Sequence, residues 1–253
     1  MNRSLRRVRA CWLGSVPYRR AWELQAELVR ELREGAGQDT LLLLEHPHVF
    51  TMGKAASQEH LLWDEAERQR RGVEVVWSDR GGEATYHGPG QLVGYPVLDL
   101  AHFDLTIPQY VERLGTSLIG YLRLLGIESE PGEPGFTGVW YGGDKLAAIG
   151  IKLNHSVVSH GFALNLTTDI DYFDGIVPCG HVEKRPTSVE SVTGRRIDAS
   201  TAAADYAAQF GAVFGAELDW APAETLPGAG RVTHEGTPVR SQPEYRVLPN
   251  RYS

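Results

Sequence analysis

A β-hairpin predicted over residues 138–153 restricts the fold of this chain more than any other feature. Its sequence, GVWYGGDKLAAIGIKL, places Gly142-Gly143-Asp144 between two apolar runs, which is typical of a tight turn joining antiparallel strands. Other apolar strands alternate along the chain with amphipathic helices. A sheet that contains a hairpin is not wholly parallel. We therefore predict an α/β (α+β) fold with a mixed β-sheet core flanked by helices.

The other elements are predicted from apolar spacing and from capping residues. Helices are expected at 17–35, from Thr106 to Gly126, and from a start near Ser200. Strands are expected around Cys11 and at 39–46, 73–77, 91–100 and 156–166. Because Pro96 has no N–H to donate, we expect the strand at 91–100 to lie at a sheet edge or to contain a bulge.

The chain changes character after Leu218. Residues 219–253 hold five of the 14 prolines and show no helical stripe. No internal repeat is visible in the residues before them. We therefore predict one domain over residues 1–218 and a Pro-rich C-terminal tail over 219–253 that is extended or mobile.

Charge and cysteine content argue against several classes of protein. The formal net charge of -7 disfavours a dedicated nucleic-acid binder, which would present a basic face. Two cysteines far apart do not form a disulfide framework, so a reducing compartment is expected. The N-terminus lacks the apolar run of a signal peptide, and no stretch reaches membrane-spanning length. We expect a cytoplasmic protein that binds neither nucleic acid nor membranes.

The most unusual stretch is DRGGEATYHGPGQLVGYP, residues 79–96. Four glycines surround Tyr86 and His87, and glycine lets a backbone approach a ligand closely. No Gly-Lys-Ser/Thr follows, so the stretch is not a phosphate-binding loop of the Walker type. From these residues alone, a glycine-rich hairpin with a structural histidine is as good an interpretation as a ligand site.

The segment RGGEATYHGPGQ resembles the signature of the octanoyltransferases of lipoate biosynthesis (the lipoate biosynthesis protein B family). Four further blocks resemble that family in the same order: LLLLEHPHVFTMG, GVWYGGDKLAAIGIKL, VSHGFALNL and FDGIVPCG. The resemblance runs from about Val8 to Leu218, so it implies that residues 1–218 are a catalytic domain. It also implies a fold similar to the catalytic core of biotin and lipoate protein ligases.

The activity implied by the resemblance is transfer of an octanoyl group from octanoyl-acyl carrier protein to a lysine of a lipoyl domain. The expected acceptors are the lipoyl domains of 2-oxoacid dehydrogenase complexes and the glycine cleavage H protein. No cofactor is expected on the enzyme, because the donor carries its own phosphopantetheine. A monomer is expected by analogy with the family.

The resemblance assigns Cys179 as the nucleophile, which would carry the acyl group as a thioester, and Lys145 as its acid/base partner. A free thiol has a pKa of about 8.5, and a nearby ammonium lowers that value. Apolar strand neighbours of Lys145 would in turn ease loss of the ammonium proton. Without the resemblance, Lys145 would be interpreted as an exposed strand-end lysine and Cys179 as a small buried apolar residue.

The family pattern also predicts the residues that bind substrate. Small side chains suit a narrow apolar slot, and a core histidine bonded to a carbonyl remains the alternative for each histidine. The predicted set is Arg80, Gly81, Gly82, Glu83, Ala84, Thr85, Tyr86, His87, Ala148, Ile149, Gly150, His160, Gly161, Phe162 and Ala163. No metal is expected, because neither HPH at 46–48 nor CGH at 179–181 has the spacing of a zinc site.

Three other functions stay open at this point. An ATP-dependent lipoate-protein ligase would share the fold and the glycine-rich motif, but it needs no nucleophilic thiol. A non-catalytic acyl-binding protein would keep the slot and lose the Cys179–Lys145 pair. A cysteine hydrolase would need a nucleophile elbow or a Cys/His spacing, and neither is evident.

Overall fold

The computed structural model describes residues 6–133, 137–177 and 185–228. Within these ranges the chain forms eleven β-strands, which are divided between two sheets. The strands are β1 Arg6–Ser15, β2 Thr40–Glu45, β3 Val49–Met52, β4 Glu74–Trp77, β5 Ala84–His87, β6 Gln91–Asp99, β7 Glu130–Pro131, β8 Gly138–Tyr141, β9 Asp144–Asn154, β10 Val157–Asn165 and β11 Ala216–Trp220.

The larger sheet has eight strands in the order β11-β1-β2-β6-β10-β9-β8-β7. The pairs β11/β1 and β1/β2 are parallel, whereas the other neighbours are antiparallel. The predicted hairpin is β8–β9, with its turn at Tyr141–Asp144. The prediction of a mixed sheet is confirmed.

Helices cover both faces of this sheet, as predicted. α1 Tyr18–Arg33 covers one face, and α3 Ile107–Leu124, α4 Val189–Thr193 and α5 Ala199–Phe214 lie on the other. The short helix α2 Glu65–Arg70 buries no residue and connects β3 with β4. α3 starts after Thr106, whose hydroxyl accepts a hydrogen bond from the Gln109 N–H, and Pro108 lies in its first turn. The three predicted helices correspond to α1, α3 and α5.

The sequence of β2 shows how the two faces are filled. Leu41 and Leu43 belong to the core on the α3 and α5 side, whereas Leu42 and Leu44 belong to the core on the α1 side. All four side chains have no solvent exposure. A strand buried on both faces has an unbroken apolar sequence, because successive side chains point to opposite faces.

Pro96 lies in the middle of the sheet, so the prediction of an edge or a bulge was wrong. β6 runs between β2 and β10, and its register with each neighbour stays constant. That register places His160 of β10 opposite Pro96, and there the His160 N–H donates instead to Gln25 Oε1 at 2.7 Å. The regular pairing of β6 with β10 is interrupted at this position, where His160 has a left-handed φ of 56° and its N–H turns to helix α1.

The second sheet was not predicted. It has three strands in the order β4-β3-β5, and its apolar side chains pack with Ile176 into a separate small core. The predicted strand at 73–77 is β4 of this sheet. β5 is formed by ATYH of the glycine-rich motif, which places that motif between the two sheets.

The predicted boundary between residues 218 and 219 falls inside β11. This strand pairs with β1 as far as Trp220, and Leu226 is buried against the core on the α1 side. Residues 229–253 lie outside the described residues, so the division into domain and tail stays a prediction. No helix in the described ranges is long and apolar enough to cross a membrane.

Candidate active site

One cleft contains most of the predicted site. It is bordered by the glycine-rich segment 80–87 and by the middle of β9 and β10. All of the predicted substrate-binding residues lie on its walls except Glu83 and Tyr86. Lys145 lies on the same walls. The family-derived residues, which are far apart in sequence, therefore surround a single space.

Glycines bring the backbone segments of the cleft close together. The Gly81 N–H donates to Ile151 O at 2.9 Å, and a Cβ on Gly150 would lie 3.3 Å from Gly81 O. Gly161, which lies on the cleft wall, also has a packing role. A Cβ there would lie 2.3 Å from Gly94 O and 2.6 Å from Pro96 Cδ, so Gly161 allows β10 to pass β6.

Lys145 is held at the start of β9 by the segment that follows Cys179 in sequence. Its N–H donates to Arg185 O at 2.8 Å, and its carbonyl accepts from the Thr187 N–H at 3.0 Å. The half-buried side chain places Nζ 4.7 Å from the centroid of the Trp140 ring. The ring face of an indole stabilises a neighbouring positive charge.

Cys179 lies outside the described residues. The described chain on either side is anchored: the Val177 N–H donates to His60 O at 2.9 Å, and Pro186 pairs with Lys145 and lies on the cleft wall. The other cysteine, Cys11, is fully buried in β1, and burial raises the pKa of its thiol to about 11. A thiol in that state is a core side chain.

A chain of buried amides connects the glycine-rich motif to the Lys145 side of the cleft. His87 Nδ1 lies 2.7 Å from Gln91 Oε1, and Gln91 Nε2 donates to Tyr86 O at 3.1 Å and to Asn165 Oδ1 at 3.0 Å. Asn165 Nδ2 donates to Thr187 O at 2.9 Å. Burial, with a smaller contribution from the neighbouring His46, holds the pKa of His87 well below its usual value.

The histidines of the HPH stretch have structural partners. His46 Nδ1 lies 2.6 Å from Val16 O, and Nε2 lies 2.8 Å from the Tyr95 hydroxyl. Burial lowers the pKa of His46 to about 4. His48 lies 2.8 Å from the Tyr86 hydroxyl, so Tyr86 faces the small core instead of the cleft. In the parts of the chain that the structure describes, no group of three His, Cys, Asp or Glu side chains could hold a metal ion.

His160 lies on the cleft wall in a left-handed backbone conformation, with φ of 56°. Its Nε2 donates to Asp79 Oδ1 at 2.9 Å, and Lys152 Nζ contacts the other oxygen of that carboxylate. The hydrogen bond from His160, aided by Lys152, holds the pKa of Asp79 well below its usual value. The three side chains fasten the start of the glycine-rich segment onto β9 and β10.

This cluster predicts a pH-dependent contribution to stability. Because the pKa of Asp79 is lowered on folding, its ionised form stabilises the protein above the unfolded pKa of about 3.9, and that stabilisation is lost progressively as the pH falls from there through the folded pKa. We expect Asp79→Asn to lower the free energy of unfolding by about 1 kcal/mol at pH 7 and by less at pH 3. Urea unfolding of both proteins at the two pH values measures this. An equal difference in the free energy of unfolding at both pH values would contradict the prediction.

Comparison with known proteins identifies the class of domain that carries this cleft. Residues 17–211 match the family model of the lipoyl protein ligase A/B catalytic domain. The chain is 50% identical over 186 residues to an octanoyltransferase of Rubrobacter xylanophilus, covering 73% of this chain and 83% of the relative. It is 41% identical over 243 residues to one of Koribacter versatilis, covering 93% and 94% respectively. The chain belongs to this family, among its octanoyltransferases, which are acyltransferases.

Solved structures support the fold. The bipartite lipoate protein ligase of Thermoplasma acidophilum superposes with a TM-score of 0.69 at 16% identity, covering 90% of each chain. The expected likeness to lipoate ligases is therefore confirmed for the fold.

Several cleft residues were missed by the sequence analysis. They include Tyr18, Gln91, Tyr95, Trp140, Asn165 and Pro186. Gln91 and Asn165 lie in the quoted motifs, so the motifs carried a signal for them. Tyr18 begins α1 and is 2% exposed, and nothing in its sequence context distinguishes it from a core residue.

Proposed function

We propose that this chain transfers an octanoyl group from octanoyl-acyl carrier protein to a lysine of lipoyl domains, through a thioester on Cys179. The reaction is the first step of lipoate biosynthesis on proteins. The protein acts in the cytoplasm as a monomer and needs no bound cofactor. Its acceptors are the lipoyl domains of 2-oxoacid dehydrogenase complexes and the glycine cleavage H protein.

The observation that carries this proposal is that Lys145 shares one cleft with a wall of small and apolar residues. Ala148, Ile149, Phe162 and Ala163 lie on that wall and suit an alkyl chain. Pro186, which pairs with Lys145, follows Cys179 by seven residues in the sequence. An amine beside an apolar slot is what acyl transfer to and from a thiol requires.

In the first half-reaction, the Cys179 thiolate attacks the thioester carbon of the donor. A new C–S bond forms, the C–S bond to phosphopantetheine breaks, and the leaving thiolate takes a proton from the Lys145 ammonium. In the second, a lipoyl-domain lysine attacks, a C–N bond forms, the C–S bond to Cys179 breaks, and the amine proton returns to Lys145. Exchange between two thioesters is nearly isoenergetic and amide formation is favourable, so no ATP is required.

Octanoyl transfer without ATP distinguishes this proposal from a lipoate ligase. We expect purified protein to octanoylate a lipoyl domain from octanoyl-acyl carrier protein at the same rate with and without ATP, as measured by intact mass of the acceptor. Free octanoate with ATP should give no product. Dependence on ATP, or transfer from the free acid, would favour the ligase. Release of free octanoate without acceptor modification would favour a hydrolase. Absence of any turnover would favour a non-catalytic binding protein.

A further inference from the structure

His87 has a tautomer that the surrounding hydrogen bonds define. Two backbone carbonyls can only accept: Thr187 O takes a hydrogen bond from Asn165 Nδ2, and Tyr86 O takes one from Gln91 Nε2. These fix both amide orientations, so Gln91 Oε1 is the atom that faces His87 Nδ1. Nδ1 must therefore carry the hydrogen. In the neutral ring, Nε2 is left with a lone pair and no hydrogen.

Two aromatic rings pack against His87. Tyr18 stacks on one face with ring centroids 5.9 Å apart, and His46 meets it edge-on at 5.5 Å. The Nδ1 edge is occupied by Gln91, and His87 lies on the wall of the cleft. No hydrogen bond from the described residues reaches Nε2, so this nitrogen is the one left to hydrogen-bond with a ligand in the cleft. The site therefore presents a hydrogen-bond acceptor to whatever enters.

A hydrogen-bond acceptor at this position distinguishes the reacting groups by whether they can donate a hydrogen bond. The alkyl chain has no polar hydrogen, and a thioester has only acceptor atoms. The attacking lysine amine has N–H groups and a single lone pair. A hydrogen bond from one N–H to a fixed acceptor orients that lone pair, and orientation of reacting groups contributes strongly to rate.

From this geometry we infer that His87 Nε2 accepts a hydrogen bond from the attacking amine in the second half-reaction, with Gln91 and Asn165 as its positioning residues. The inference rests on the proposed function. Lys145 still takes the amine proton, so the proton balance of the reaction is unchanged. His87 is then a catalytic residue for transfer to the acceptor and has no part in loading Cys179.

Single-turnover kinetics on the full-length protein separate the two half-reactions. In His87→Asn, the amide nitrogen of asparagine replaces Nδ1 as donor to Gln91, but nothing replaces Nε2. We expect transfer from the acyl-enzyme to a lipoyl domain to slow by about 20-fold or more, and loading from octanoyl-acyl carrier protein to change by less than about threefold. His87→Gln places an amide oxygen near Nε2 and should recover part of the transfer rate. His155→Asn is the matched control, because His155 is exposed in the β9–β10 turn and has a left-handed φ of 58° that asparagine accepts.

The outcomes are distinct. Equal slowing of both half-reactions, slowing of loading alone, or no slowing in His87→Asn would overturn the inference; slower loading would indicate that His87 binds the phosphopantetheine arm. If wild-type protein forms no acyl-enzyme, the proposed function fails in its mechanism. The inference is then judged from overall turnover, which His87→Asn must still lower by about 20-fold.

The positioning role of Gln91 has its own readout. In Gln91→Glu, a carboxylate beside Nδ1–H raises the pKa of His87, against the opposing effects of His46, Arg80 and His160. Protonation of Nε2 removes the acceptor, so the transfer rate should fall on the acid side at a higher pH than in the wild type. A purely structural role would lower the rate equally at every pH. An unshifted profile would therefore contradict the positioning role.

Discussion

Replacing Lys145 with methionine is expected to lower the turnover number for octanoyl transfer by about 1,000-fold. Methionine keeps an unbranched side chain against Trp140 but removes the charge and the proton-carrying group on which the proposed mechanism depends. The loss should ease as the pH rises toward about 8.5, because the thiol then ionises without help. Turnover is measured at saturating donor and lipoyl domain from pH 6 to pH 9.

Lys54→Met is the matched control for this experiment. Lys54 is exposed and lies outside the cleft walls, so its replacement should change the turnover number by less than about twofold. The account would be contradicted if Lys145→Met kept more than a tenth of the wild-type turnover. A loss of the same size at every pH would also argue against thiolate stabilisation.

Replacing Gly161 with alanine is expected to lower the free energy of unfolding by about 3 kcal/mol. The added Cβ would lie 2.3 Å from Gly94 O, and this backbone atom belongs to a central strand that cannot move away cheaply. Strand β10 would have to separate from β6 beside Pro96 and His160. Urea unfolding followed by circular dichroism measures the change.

Gly115→Ala is the control for the effect of adding a methyl group to a buried glycine. Gly115 lies inside α3, and a Cβ there would meet only Ile149 Cδ1, at 4.0 Å. Alanine favours a helix over glycine, so we expect stability to rise by up to about 1 kcal/mol. A Gly161→Ala protein as stable as the wild type would contradict the packing described for β6 and β10.

Local patterns were sufficient to predict the three long helices, the hairpin and the mixed sheet. An apolar stripe or a cap residue such as Thr106 determines the structure of residues that are close to it in sequence. The turn at Gly142-Gly143-Asp144 is likewise determined by neighbouring residues. Pro96 was misinterpreted because the backbone opposite it, at His160, leaves the regular strand conformation and bonds to Gln25, and both residues are distant from Pro96 in sequence. The second sheet was missed because its strands have only four residues each.

The candidate site was also predicted only in part. The family motifs predicted Lys145 and the small residues of β9 and β10, which lie together on the cleft wall. The link from His87 through Gln91 and Asn165 to Thr187 joins residues of four separate segments, and spacing alone does not predict such a link. Tyr18 reaches the cleft because the start of α1 packs against Val49 and Val76 of the three-stranded sheet, which is distant from it in sequence.

The central claim is tested most directly by intact-mass analysis after incubation with octanoyl-acyl carrier protein, without ATP or acceptor. We expect a gain of one octanoyl group that hydroxylamine removes quickly and that peptide mapping assigns to Cys179. Cys11→Ala, which removes the other of the two cysteines, should still be labelled, whereas Cys179→Ala should not. Labelling that persists in Cys179→Ala, or full octanoyl transfer by that variant, would contradict the thioester mechanism.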